Sequence, residues 1–143
     1  MNVPVRVKRL RPGARLPERA TEGATGYDLY ACLDEPMMVG HEPVRVPTGI
    51  AIEIGAGYDV QIRPRSGLSS RGVMVTFGTI DSDYRGELLV TMHSLHYREP
   101  HEVSDGDRIA QLVIGQALVM DMTVAEELSE TARGAGGHGS TGR

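Results

Sequence analysis

Apolar and polar residues alternate along most of this chain in short stretches. The alternating stretches are 3–7, 27–31, 50–54, 58–62 and 73–77, and a short apolar run covers 109–114. Turn-forming residues separate several of them, at 47–49 (PTG), 55–57 (GAG) and 105–106 (DG). Many short strands at this spacing predict an all-β sandwich or barrel. We expect a single domain over residues 1–143, with no internal repeat and no linker.

Two further stretches could form helices. Residues 66–71 predict one short helix between strands, with Ser66 as its N-cap. Residues 124–132 have a helix-forming composition but no apolar stripe, so we expect an extended or irregular segment there. The domain is therefore divided into a β core over 1–132 and a flexible C-terminal arm over 133–143.

The composition is that of a globular protein with an acidic balance. The formal net charge is −4, which argues against general binding to polyanions. Trp is absent and aromatic residues are few, so we expect no stacking platform for nucleic acid. No apolar run approaches the ~20 residues of a membrane span, and no signal peptide is visible. Cys32 is the only cysteine, so no disulfide can form within the chain. We expect a cytoplasmic protein that binds neither nucleic acid nor membrane.

The cations of the chain are almost all arginine, since Lys8 is the only lysine. Arginine suits bidentate contact with the oxygen atoms of phosphates and carboxylates. A coding preference for arginine would give the same bias. The composition alone therefore does not decide whether the chain binds oxyanions.

The C-terminal arm is rich in glycine, which loses much conformational entropy when it becomes ordered. Such a segment becomes ordered only when something binds it. Arg133, Ser140 and Thr141 offer hydrogen-bond donors, and the arm contains no carboxylate. This chemistry fits a strap that closes over phosphates. The alternative is a disordered tail without a function.

Residues 63–70 (RPRSGLSS) lie where a predicted strand meets the predicted short helix. The first N–H groups of a helix point outward and favour anions. Arg65, Ser66 and Gly67 can therefore form a phosphate cradle. The alternative is a polar turn in which Ser66 only caps the helix.

Residues 78–87 (GTIDSDYRGE) combine acids, an aromatic ring and turn residues in a hairpin-like span. In a functional interpretation, Asp81 is a base and Tyr84 is a flat wall against a ring. The alternative is a solvated turn with a salt bridge to Arg85.

Two other segments are weaker signals. Asp28 lies on the polar side of an alternating strand, where an exposed carboxylate is the default interpretation. Gln111 lies in a strand that follows a turn, and its side chain could contact a ligand. A structural pair between Asp107 and Arg108 explains that segment equally well.

The sequence contains no recognisable metal-binding motif. The five histidines are His41, His93, His96, His101 and His138. None of them is paired with cysteine or an acid at a spacing typical of metal ligands. Any metal is expected to be Mg²⁺ that arrives with a phosphate substrate and keeps several of its waters.

Taken together and in this order, five segments resemble the motifs of the trimeric dUTPases. They are 24–29 (ATGYDL), 64–68 (PRSGL), 78–86 (GTIDSDYRG), 106–112 (GDRIAQL) and 133–142 (RGAGGHGSTG). Each motif alone is unspecific, but five in sequence across nearly the whole chain form a strong match.

The resemblance implies a jelly-roll-like β subunit that assembles into a homotrimer with three shared active sites. In the family, the first, second and fourth motifs come from one subunit, the third from a second and the glycine-rich arm from the third. The implied reaction is hydrolysis of dUTP to dUMP and pyrophosphate with Mg²⁺. This reaction limits the incorporation of uracil into DNA and supplies dUMP for dTMP synthesis.

The resemblance also assigns roles to residues. Asp81 falls on the general base that orients water for attack on the α-phosphorus. Tyr84 falls on the residue that packs against deoxyribose and leaves no room for a 2′-hydroxyl group. The backbone of 78–81 and the region near Leu89 would read uracil. Asp28 would reach Mg²⁺ through water only.

The remaining assignments concern the phosphates and the base. Contacts to the α- and β-phosphates fall on Arg65, Ser66, Gly67 and Gln111, and contacts to the outer phosphates on Arg133, Ser140 and Thr141. The full set of implied substrate contacts is Arg65, Ser66, Gly67, Gly78, Thr79, Ile80, Tyr84, Leu89, Gln111, Arg133, His138, Gly139, Ser140 and Thr141.

The chain departs from the family pattern at three places. His138 stands where many members have a Phe that stacks on uracil; imidazole can stack, but it also titrates near neutral pH, so we expect a weaker grip on the base in acid. Val75-Thr76-Phe77 replaces the Asn-Ser-Pro of many bacterial members, so the backbone alone is expected to read uracil. Arg143 is an additional cation without an assigned role.

Two rival interpretations remain open. A dCTP deaminase would share the fold and a triphosphate site, but it needs an active-site glutamate, for which Glu87 is available. A nucleotide-sensing or protein-binding module would keep the fold without turnover. Asp81 and the complete arm argue against this second alternative.

Overall fold

The alternation in the sequence produces short antiparallel strands in the computed structural model, which describes residues 1–142. The strands are β1 Val5–Arg9, β2 Tyr27–Tyr30, β3 Met37–Val39, β4 Val44–Pro47, β5 Ile50–Ile54, β6 Tyr58–Arg63, β7 Val73–Val75, β8 Gly78–Ile80, β9 Leu89–Ser94, β10 His101–Val103 and β11 Arg108–Gln116. The single helix, α1, covers Ser66–Ser69. The predicted all-β, jelly-roll-like fold with one short helix is confirmed.

The strands form two larger sheets and two ribbons. The larger sheet has four strands in the order β2-β11-β6-β8, and the smaller has three in the order β4-β9-β7. The two ribbons pair β1 with β5 and β3 with β10. All of these pairings are antiparallel.

One hydrophobic core joins these sheets, because every second residue of most strands points inward. In β6 the inward residues are Val60 and Ile62, and in β9 they include Val90 and Met92. Complete burial of such side chains contributes roughly 1.5–3 kcal/mol each. Strand β5 departs from simple alternation because Ala51 is buried as well.

The short helix is anchored to the core by Leu68, which is buried. The prediction that Ser66 caps this helix is wrong. Arg65 occupies the N-cap position in an extended conformation (φ −99°, ψ 138°), and no side chain caps the helix. The side chain of Ser66 is exposed, so its hydroxyl group faces solvent at the start of the helix.

The last strand ends at Gln116, and the chain forms no helix or strand from there to residue 142. The irregular structure predicted for 124–132 is confirmed. Large apolar side chains are exposed in this segment, namely Leu118, Val119, Met120, Met122, Val124 and Leu128. The boundary between core and arm at 132/133 stays a prediction, and Arg143 lies outside the described residues.

No helix in residues 1–142 is both long enough and apolar enough to cross a membrane.

Candidate active site

The carboxylate of Asp28 lies between two arginines. Asp28 is only 9% exposed. Its Oδ1 accepts a hydrogen bond from Nε of Arg65 at 3.0 Å, and its Oδ2 lies 3.8 Å from Nη1 of Arg108. The default interpretation of Asp28 as an exposed strand residue is therefore wrong, because the guanidinium groups compensate its burial. The structural pair between Asp107 and Arg108 is not found in the described structure; Asp107 instead accepts the N–H of Ser104.

Gln111 joins the same cluster through strand pairing. Strand β11 places Gln111 opposite Asp28 of β2 and opposite Arg63 of β6. The side-chain Nε2 of Gln111 donates to the carbonyl of Pro64 at 2.9 Å. Gly26 leaves space for this side chain, because a Cβ atom there would lie 2.0 Å from Oε1 of Gln111. Residues from three predicted motifs thus meet at one end of the larger sheet.

This cluster presents hydrogen-bond donors to solvent. Ser66 and Gly67 are exposed at the start of α1, directly after Arg65. Arg65 is held by Asp28 and by the carbonyl of Arg108, to which its Nη1 donates at 3.4 Å. Backbone N–H groups at a helix start together with fixed guanidinium groups favour an anion. The predicted cradle is therefore assembled within one chain, and the term "phosphate cradle" below means Arg65, Ser66, Gly67 and Gln111.

The hairpin that follows β8 forms a second cluster around Tyr84. The N–H of Tyr84 donates to the carbonyl of Asp81 at 3.0 Å, which closes a turn. The hydroxyl of Tyr84 donates to the carbonyl of Glu87 at 2.9 Å. Gly86 is required beneath the ring, because a Cβ atom there would lie 2.3 Å from the Tyr84 hydroxyl oxygen. Tyr84 is thus held within its own turn at two points, by its backbone N–H and by its hydroxyl.

A small cavity of about 170 Å³ opens beside this ring. Its lining residues are Thr79, Ile80, Asp81, Tyr84, Glu87 and Leu89. The sequence analysis assigned five of these six residues to the base, the sugar or the attacking water. We call this space the nucleoside cavity.

Asp81 is exposed at the mouth of the cavity, and in residues 1–142 its carboxylate has neither an ion pair nor a hydrogen-bond donor. The alternative, a salt bridge to Arg85, is not found in the described structure. Arg85 donates to the carbonyls of Ser82 and Tyr84 and lies 3.6 Å from Glu53. Asp81 is therefore available to accept a proton from water.

The phosphate cradle and Asp81 lie at opposite ends of β6. Strand β8 runs antiparallel to β6 with Ile80 opposite Val60, so Asp81 lies beside Asp59 at the start of β6. Arg65 follows the other end of the same strand. Six residue steps of extended chain separate these positions by roughly 20 Å. A general base acts within hydrogen-bond reach or through one water, so Asp81 and the phosphate cradle of the same chain are too far apart to act on one phosphate.

The glycine-rich arm does not join either cluster on its own chain. Within residues 131–142 the hydrogen bonds found are internal to the arm and Thr131, for example from Nε of Arg133 to the carbonyl of Gly136 at 2.8 Å. Ser140 and Thr141 are exposed. His138 adopts a φ of 51°, in the left-handed region that few residues other than glycine occupy. The structure therefore leaves the arm apart from the predicted site of the same chain.

The sequence analysis missed Arg11, which lies in the loop after β1. Its Nη2 donates to Oε1 of Glu87, and the same oxygen accepts the N–H of Gly49 at 2.8 Å. The hydrogen bond with Glu87 and, second, the thiol of Cys32 raise the pKa of Arg11 above its usual value. No local motif marks Arg11, since its partner lies 76 residues further along the chain.

Glu87 was the residue that a deaminase would use as its acid. Its Oε1 is instead occupied by Arg11 and by the N–H of Gly49. A carboxylate used to hold two other segments is poorly placed to shuttle protons to a substrate. The site therefore favours hydrolysis over deamination.

The described residues offer no preformed metal cage, because nowhere in 1–142 do three His, Cys, Asp or Glu side chains cluster. The carboxylate of Asp28 is already paired with two arginines. Such a site fits a magnesium ion held mainly by substrate phosphates and water, with a single protein carboxylate nearby.

A fixed arginine and exposed helix N–H groups suit a phosphate, and a carboxylate without a partner in residues 1–142 suits the activation of water. The comparisons with known proteins specify the family. The family model described as dUTPase matches residues 13–142. The chain belongs to the dUTPase family, and the resemblance seen in the sequence is confirmed.

Named relatives and solved structures agree with this assignment. A deoxyuridine 5′-triphosphate nucleotidohydrolase of Hydrogenobaculum sp. is 50% identical over 95% of this chain and 96% of its own. One of Anaeromyxobacter sp. is 48% identical over 99% of this chain and 100% of its own. The structure of Staphylococcus bacteriophage 80alpha dUTPase with dUpNHpp is similar at a TM-score of 0.83 and 29% identity, over 98% of this chain and 99% of that one.

Proposed function

We propose that the chain hydrolyses dUTP to dUMP and pyrophosphate in active sites that three copies of the chain share. The observation that carries this proposal is the separation of the phosphate cradle from Asp81 along β6. Two copies are needed to bring these groups to one α-phosphate, and the arm of a third copy can then close the site. Hydrolysis of dUTP limits the incorporation of uracil into DNA and supplies dUMP for dTMP synthesis.

The segment after Gln116 supports a homotrimer. Leu118, Val119 and Met120 are 84%, 99% and 73% exposed, and further exposed apolar side chains follow before the arm begins. Exposed apolar patches of this kind mark surfaces that another chain covers. A second copy is the partner that the shared site requires, so this segment is proposed to pack on the neighbouring subunit.

In the proposed mechanism, Asp81 accepts a hydrogen bond from a water molecule and directs it at the α-phosphorus. The phosphate cradle of a second subunit binds the α- and β-phosphates, and Arg133, Ser140 and Thr141 of the third bind the outer phosphates. Positioning and charge stabilisation supply most of the rate enhancement in such phosphate chemistry. Closure of the arm excludes bulk water before attack.

Specificity is assigned to the nucleoside cavity. The ring of Tyr84 packs against deoxyribose and leaves no room for a 2′-hydroxyl group. The backbone of Gly78, Thr79 and Ile80, with Leu89 opposite, reads the uracil edge. His138, followed by Gly139, stacks over the base when the arm closes.

Mg²⁺ is the metal of the dUTPase family. In this chain Asp28 would contact it through water, and Arg65 of the phosphate cradle would remain on the phosphates. When bound, the ion neutralises phosphate charge and lets a net-acidic protein hold a highly anionic substrate. The single buried Cys32 suits a reducing compartment, which supports a cytoplasmic location.

The decisive experiment measures pyrophosphate release from dUTP with Mg²⁺, beside dTTP, dCTP and UTP. We expect fast release from dUTP alone. Ammonia release from dCTP would instead identify a deaminase, and binding of dUTP without turnover would identify a sensor. Light scattering on the same sample tests the assembly, since a fully active monomer would contradict the shared site.

A further inference from the structure

The contact between Arg11 and Glu87 links three segments that are distant in the sequence. Arg11 belongs to the loop after β1, Glu87 precedes β9, and Gly49 lies between β4 and β5. One oxygen, Oε1 of Glu87, accepts from both Nη2 of Arg11 and the N–H of Gly49. The side chains of Arg11 and Glu87 are 39% and 23% exposed, so water screens this pair only in part.

The same glutamate forms part of the nucleoside cavity. Glu87 is one of the lining residues, and its backbone carbonyl accepts the hydrogen bond from the Tyr84 hydroxyl. The next residue, Leu88, is completely buried and is fixed on both sides, because its N–H donates to Ile50 and its carbonyl accepts from Oγ1 of Thr48. Glu87 thus connects the turn that carries Tyr84 to the buried core, which begins at Leu88.

Without the contact to Arg11, Glu87 keeps one side-chain hydrogen bond to another segment, from the N–H of Gly49, and the turn keeps the 3.6 Å ion pair of Arg85 with Glu53. The two hydrogen bonds of Tyr84, from its N–H to Asp81 and from its hydroxyl to Glu87, lie within the turn and move with it. A rigid shift of the turn would therefore displace the Tyr84 ring from the sugar while leaving both bonds intact. Displacements near 1 Å are enough to change rates by large factors.

We propose that Arg11 and Glu87 are positioning residues that hold the Tyr84 ring against the sugar and thereby set the discrimination between deoxyribose and ribose. The inference rests on the proposed hydrolysis of dUTP. It adds two residues to the site, neither of which carries a role in the assignments above. The discriminating group is still Tyr84, and the pair acts through it.

The test uses variants that separate charge from packing. Arg11→Gln keeps the polar, partly buried character of the side chain but removes the cation, and Arg11→Lys restores the cation. Glu87→Gln keeps an acceptor for the N–H of Gly49. Arg6→Gln is the matched control, because it breaks another arginine–glutamate pair, to Glu53 at 2.7 Å, outside the nucleoside cavity and leaves the pair of Glu53 with Arg85 in place.

The quantity measured is the ratio of kcat/KM for dUTP to kcat/KM for UTP. We expect Arg11→Gln and Glu87→Gln each to lower this ratio by about tenfold, mainly because UTP is accepted better. Arg11→Lys should recover most of the ratio, and Arg6→Gln should leave it unchanged. The double variant should resemble either single variant, because the two residues act as one unit.

A structural role alone would give a different result. If Arg11→Gln lowers the urea midpoint of unfolding but leaves the dUTP to UTP ratio at its wild-type value, the proposal is overturned. Calorimetric measurement of dUMP and UMP binding makes the same comparison between deoxyribose and ribose without turnover. A wild-type protein that releases no pyrophosphate contradicts the proposed function, whereas equal changes in dUMP and UMP affinity contradict the positioning role.

Discussion

The chain up to Gln116 and the chain after it differ in the range of their contacts and in the burial of their apolar side chains. Before Gln116, strands pair across long sequence separations and bury a single core. From residue 117 to residue 142, the hydrogen bonds found are local except for one, from the N–H of Ala117 to the carbonyl of Gly57. Apolar side chains that would belong in a core are exposed there.

The difference shows how the site is divided between rigid and adaptable parts. The nucleoside cavity and the phosphate cradle are each built by a folded chain before any substrate arrives. The closing arm belongs to the region that has no packing partner of its own. Recognition of base and sugar is therefore expected to depend on one core, and phosphate closure on the assembly. Four experiments test this division between the core and the arm.

The largest effect is expected for Asp81→Asn. This change keeps the shape of the turn but removes the base, so turnover of dUTP should fall by roughly 10²–10⁴-fold while dUTP still binds. Steady-state pyrophosphate release and calorimetric binding measure the two quantities. The control is Asp83→Asn, two residues along the same turn, which should leave kcat nearly unchanged. Equal activity of Asp81→Asn and wild type would remove Asp81 from the mechanism.

Truncation after Ala132 tests the adaptable region directly. We expect kcat/KM for dUTP to fall by about 10²-fold, because the outer phosphates lose their donors and water enters the site. The melting temperature should not change, since the arm makes no hydrogen bond to the core in residues 1–142. A truncated protein with full activity, or one that melts much lower, would contradict the division made here.

Gly26→Ala tests the rigid cradle. The added Cβ atom would meet Oε1 of Gln111 at 2.0 Å and push the amide away from the carbonyl of Pro64. We expect KM for dUTP to rise by about tenfold with little change in kcat, because ground-state binding of phosphate is weakened. Gly23→Ala is the matched control, since nothing lies within 4 Å of its added Cβ atom. Identical KM values for the two variants would argue against a role for Gln111.

The smallest effect is expected for the free energy of unfolding at acid pH, to which His101 contributes. Partial burial and the charges of Arg98 and Arg71 lower the pKa of His101 in the folded protein. The unfolded chain therefore takes up a proton near its usual value of about 6.5 while the folded protein does not. The contribution of neutral His101 to the free energy of unfolding should be fully present above that pH and should decline as the pH falls below it. Urea unfolding of His101→Gln and wild type should show a shallower decline in the variant; parallel curves would contradict this.

The sequence predicted β1, β2, β5, β6, β7 and β11, but it missed the six-residue β9, although every second residue of that strand is buried. The six-residue β6 alternates clearly, and its bounds extend the predicted 58–62 by one residue. The three-residue strands β3 and β10 were not predicted, because three positions are too few to show an alternating pattern. The two strands also pair with each other, and the local sequence does not reveal that pairing. Strand β1 begins two residues later than its alternation indicated, where pairing with β5 sets its limits.

The site was predicted less completely than the fold. The family assignment that the five motifs supported is confirmed. Their individual roles stay predictions. Two features could not be seen in one sequence. Asp28 is buried between Arg65, at the N-cap of α1, and Arg108 of β11, and Arg11 meets Glu87 across 76 residues.

The irregular segment of residues 117–132 also sets how often the arm meets its target. At full extension these residues span at most roughly 58 Å. In the proposed trimer they would tether the arm near the site of another subunit at a local concentration on the order of millimolar. The encounter of arm and phosphate would then be intramolecular, and its frequency would not depend on the amount of protein in solution.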